Sequence, residues 1–197
     1  MVGGQLRGGF VVAIVGIAVA STWLGIAAAQ DAPPPDPQSV LVAEVPEGFS
    51  LAPEGPGSTG PITSDRLIGL GVELSTDVRE ALEDGRMTGY ARVWIRPDPP
   101  AVLVASVLAA SDDDLAAEVL RLSLDSLDEA GGEAIDVPDI ENAVGRSIEQ
   151  AGAQLHVVAF RRGVFTYFLA ANESAALAVD VANRQAAVAP AGDSEPA

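Results

Sequence analysis

The sequence predicts an α+β fold: an antiparallel sheet of about five or six strands with helices mainly on one face, preceded by one N-terminal apolar helix. Three observations lead there. Residues 10–29 contain no charge. Residues 88–109 read as two strands around a proline-rich turn. From residue 88 onward the patterned segments run strand, strand, helix, strand, strand, strand, helix.

The first element is FVVAIVGIAVASTWLGIAAA, residues 10–29. Twenty residues make a helix of roughly 30 Å, enough to cross a bilayer. Arg7 precedes it, Asp31 and Asp36 follow it, and no further basic residue occurs before Arg66. The positive-inside bias then places the N-terminus in the cytoplasm and the remainder outside, with Trp23 near the outer interface. Ala27-Ala28-Ala29 also offers a signal-peptidase site, with cleavage after Ala29 and secretion as the alternative. The apolar run exceeds the ~7–15 residues of a signal core, which favours a retained anchor.

Four prolines in residues 30–38 make a stiff spacer. The expected extracytoplasmic domain spans residues 39–189, and residues 190–197 form a loose tail. Within the domain, residues 39–45 read as a short strand and residues 46–61 as a long Gly/Pro loop. Short helices are expected over about 63–70 and 76–83, the second with Asp77 and Glu80 at capping spacing. Residues 88–96 alternate, residues 97–100 turn, and residues 101–109 form a strand apolar on both faces. Ser111 to Asp114 open an amphipathic helix carrying Leu115, Val119, Leu120, Leu122, Leu124 and Leu127 on one broad face, and Gly131-Gly132 end it. Residues 142–150 read as a strand, and residues 153–160 and 164–171 as a hairpin across Arg161-Arg162-Gly163. Asn172 or Ser174 caps a last helix to about Val188.

Composition removes several function classes. With no cysteine there is no disulfide, thiolate nucleophile or iron–sulfur cluster. After residue 29, ten arginines stand against 28 acids, which leaves −18. Such a charge repels nucleic acid, so no nucleic-acid partner is expected.

The motifs that suggest chemistry have plainer readings. Gly55 to Gly60 spells GxGxxG, but Pro56 and Pro61 remove donors and block the helix a dinucleotide site requires. His156 is the only histidine and alternates with Leu155 and Val157 mid-strand, away from any nucleophile elbow. Asp112-Asp113-Asp114 lacks the alternate oxygens and central glycine of an EF-hand loop and suits a helix start. Asn172-Glu173-Ser174 reads as a cap, although it spells a glycosylation sequon. Neither a cofactor, a metal nor an enzymatic activity is expected.

The candidate site is on the sheet. Period two places Tyr90, Arg92, Trp94 and Arg96 on one face, with Gly89, Ala91, Val93 and Ile95 on the other, toward the helices. Arg146, Arg161 and Arg162 also fall in strands, so half of the ten arginines sit with the sheet. Aromatic rings beside guanidinium groups hold anionic or sugar-like ligands, or a protein partner. The plainer alternative has residues 46–61 covering this face, with the arginines paired to surplus acids.

Two stretches carry a family likeness: GYARVW…AVLVASVLAA with its acid-capped helix, and AVGRSIEQ…LHVVAFRRGVFTYFLAA with a helix ending VANRQ. Over about residues 45–187 the chain resembles small exported actinobacterial domains of the LpqN-like and Mog1/PsbP-like kind. The resemblance implies an α/β/α or α+β sandwich with a binding, sensing or accessory role and no catalysis. The chain departs from LpqN-type proteins in lacking a lipobox cysteine. The expected function is a membrane-tethered or secreted binding, sensor or accessory domain of the cell envelope, its ligand open. The alternative is a carrier of lipid or small apolar molecules, with a cavity beside Val102, Val104 and Leu108.

Overall fold

A computed structural model describes residues 34–44, 46–55, 57–69, 75–150 and 152–190. The apolar segment 10–29 and the tail from residue 191 lie outside the described residues. No described helix is long and apolar enough to cross a membrane.

The sheet has eight strands, all paired antiparallel. They are β1 (Ser50–Leu51), β2 (Gly60–Ile62), β3 (Met87–Pro97), β4 (Pro100–Ala110), β5 (Glu133–Ile135), β6 (Val144–Gln150), β7 (Ala153–Arg162) and β8 (Phe165–Ala171). Their order is β1-β3-β4-β8-β7-β6-β5, with β2 also on β3. The five long strands match the expected segments. The three extra ones, β1, β2 and β5, hold two or three residues each, too few for a period to show in the sequence.

The helices are α1 (Ser64–Gly69), α2 (Thr76–Glu83), α3 (Asp113–Glu129) and α4 (Ala175–Val188). Each of the last three starts on a side-chain cap. Ser75 accepts from Val78 N, Asp112 from Leu115 N at 2.7 Å and Ser174 from Leu177 N. The cap of α2 is therefore Ser75, one residue ahead of the helix, and not Asp77.

Three of the four described helices lie on one face of the sheet, and α4 covers the other. Leu67 of α1, Val78 and Ala81 of α2, and Val119 and Leu122 of α3 pack with Met87, Ala91 and Leu108 on one side. On the other side α4 lays Ala178, Val181 and Ala182 against Leu103, Val107, Phe160, Tyr167 and Leu169. A strand as apolar as β4 demands this, since only Pro100 at its start and Val102 escape full burial. Gly89 marks the closest approach on the first side. A Cβ there would meet Leu108 Cδ2 at 2.6 Å and Ile62 Cβ at 2.9 Å.

The strand expected over 39–45 is absent. Pro37–Val40 form a 3-10 turn capped by Asp36, and Leu41 and Val42 continue without pairing to any strand. Both are nonetheless core residues, 4% and 5% exposed. Pro37 fixes φ for the turn, and the apolar pair is drawn onto the α4 face of the sheet.

Candidate binding face beneath the N-terminal segment

Register places one row across the sheet on the α4 side: Leu51, Trp94, Leu103, Ala171, His156, Ser147, Glu133. The row is apolar at β3, β4 and β8, and polar toward the β5 edge. Tyr90, Arg92, Trp94 and Arg96 share one face of β3, as period two requires, but that face is not open. Trp94 is 2% exposed and Tyr90 8%, both inside the core cluster that holds Leu41, Val42 and Phe49.

The cover is the N-terminal segment 38–49, not the loop 46–61 alone. Arg92 Nη1 donates to Leu41 O at 2.6 Å and Val42 O at 2.7 Å, and Nη2 donates to Gln38 O at 3.4 Å. From the far side comes Gln185 of α4, with no exposed surface. Its Oε1 accepts from Val42 N at 2.8 Å, and its Nε2 donates to Val40 O at 2.7 Å. Two side chains thus hold the segment's backbone where a neighbouring strand ordinarily would. Burying Leu41 and Val42 adds about 1.5–3 kcal/mol each before the entropy of ordering is charged.

Arg96 closes the lower end of this face. Its Nη2 pairs with Glu173 Oε2 at 2.9 Å, its Nε donates to Pro99 O, and its Cζ lies 4.9 Å from the centre of the Phe49 ring. Gly48 makes the approach possible, with φ +85 and Arg96 Cδ 3.2 Å from where a Cβ would stand. Tyr90 Oη donates to Glu54 Oε1 at 3.4 Å. Burial pushes the Tyr90 phenol up from its ordinary value, and the Glu54 carboxylate adds to this.

Most other sheet arginines meet acids. Arg146 pairs with Asp128 at 2.7 Å and Arg161 with Asp113 at 3.1 Å, both acids belonging to α3. Arg92 instead spends its donors on carbonyl oxygens, and among the described residues it forms no ion pair.

His156 is 8% exposed, with Ser147 Oγ 2.7 Å from its Nδ1. Burial lowers its pKa, so the ring is neutral at pH 7. A hydroxyl stands beside the imidazole, and the ring is buried on the α4 side of the sheet. Val104 and Leu108, expected beside an apolar cavity, are packed. Val104 joins Ala52 and Val93, with Val102 and Ala170 against them, and Leu108 joins the α1–α3 cluster. In the GxGxxG stretch Ser58 O accepts from Arg66, which also donates to Pro61 O in β2. Asp112 caps α3, and Asn172 Oδ1 accepts from Val102 N at 2.8 Å. Among the described residues no group of three or more His, Asp or Glu is placed to hold a metal ion.

Gln185, which holds the cover of this face, is the residue that the sequence did not reveal. A signal existed: Ala178, Val181, Ala182, Gln185 and Ala186 follow the spacing of one helical stripe, so the glutamine falls on a buried face. Nothing local marked the backbone of 40–42 as its partner, because that contact spans 143 residues of sequence.

No known protein family matches the chain, and no curated protein matches it. Among solved structures, the chain is similar to the extracellular domain of PknH from Mycobacterium tuberculosis, with 13% identity and a TM-score of 0.45, over 80% of this chain and 98% of that one.

Proposed function

We propose that this chain is a membrane-tethered extracytoplasmic binding domain, held by residues 10–29 and acting on an envelope protein or ligand without catalysing a reaction. The observation that carries the reading is the fixed segment 38–42. The proline spacer leads into a stretch built into the core by Arg92 and Gln185, so a pull on the tether is borne by the sheet and α4. The charge pattern supports the outward placement, with Arg7 before the apolar run and 28 acids after it. The lone histidine, sunk in the sheet, supports a role in binding over one in catalysis.

The test is location. Full-length chain with a C-terminal tag is expressed in cells, which are then fractionated. The expected result is recovery with membranes and loss of the tag when protease is added to intact spheroplasts. Recovery of intact, full-length chain from the soluble cytosol overturns the reading.

A further inference from the structure

We draw no further inference here: the strongest candidate, the side-chain cluster at the β7–β8 turn where Arg162 forms no ion pair among the described residues and the Tyr167 hydroxyl is buried without a partner, carries nothing, because that hydroxyl is closed inside the core and nothing in the structure shows what would reach it.

Discussion

Gln185 and Tyr167 are both buried polar residues facing the α4 side, and they should respond to truncation in opposite ways. Gln185 is bonded through both ends of its amide, to Val42 N and Val40 O. Gln185→Ala strands both groups in a dry site, at about 1–3 kcal/mol for each group left unpaired. A loss of roughly 2–4 kcal/mol is expected in urea unfolding, near the upper range for single substitutions. The Tyr167 hydroxyl, by contrast, is buried with no partner among the described residues, and burial raises its pKa strongly. Tyr167→Phe keeps the ring stacked 5.0 Å from Phe160 and removes only the unpaired oxygen. Its stability should equal or exceed the native value, by up to about 1 kcal/mol, and a loss of that size would show that the hydroxyl is satisfied in solution. His156 gives a pH signature. Its folded pKa lies below the ordinary 6.5, so between the two values the unfolded chain holds more protons and stability rises with pH. Urea midpoints should therefore be flat above pH 6.5, fall as pH drops below it, and lose that fall in His156→Gln. Glu118 does not blur this window. Its carboxyl is held below the usual 4.5 by the Arg121 hydrogen bond, so its contribution fades only under more acidic conditions.

At the scale of elements, legibility followed length. The helices of 17 and 14 residues and the strands of 11, 11, 10, 7 and 7 residues each repeat their period at least twice, and the sequence reading found them all. Strands of two or three residues carry no period. They pair because β3 and β6 offer open edges, a tertiary fact rather than a local one. The candidate face was legible as a set of residues: Tyr90, Arg92, Trp94 and Arg96 do share one side of β3. Its cover was not, because SVLVAEV is a short apolar, valine-rich run such as a strand would have, whereas the chain supplies side-chain partners in place of a strand partner. Helix α3 provides the check on local reading. Asp112 Oδ1 accepts from Leu115 N at 2.7 Å, and Asp113 and Asp114 stand in the first turn. Asp112→Ala should cost about 1 kcal/mol by loss of the cap, whereas Asp114→Ala, exposed and away from the cap bond, should cost only a few tenths. Equal losses for the two would mean that the dipole, and not the cap hydrogen bond, holds this end.

For the molecule as a whole, the balance of charge makes a prediction that the pairwise contacts oppose. Seven ion pairs join described residues, and salt weakens each of them. Counted alone, they predict a lower melting temperature at high salt. Most have both partners substantially exposed, however, and exposed pairs contribute little net stability. Against them stands the surplus of 28 acids over ten arginines beyond residue 29; most of these acids belong to the described fold and are spread further apart on unfolding. Self-repulsion of this kind acts over distances comparable to the Debye length, about 10 Å at 0.1 M salt, and raising salt to 0.5 M shortens that length and relieves it. Relief of about 1 kcal/mol shifts the midpoint of a domain this size by roughly 2–4 °C. Chloride salts should therefore raise the melting temperature by a few degrees between 20 mM and 500 mM, the reverse of what the ion pairs alone imply. Chloride is the right anion, since sulfate also strengthens apolar burial and would mix the two effects. A flat or falling midpoint would mean that pairs such as Arg96–Glu173, with 17% and 39% of their side chains exposed, outweigh the long-range field, and that the acidic surplus is already spaced widely enough to be harmless.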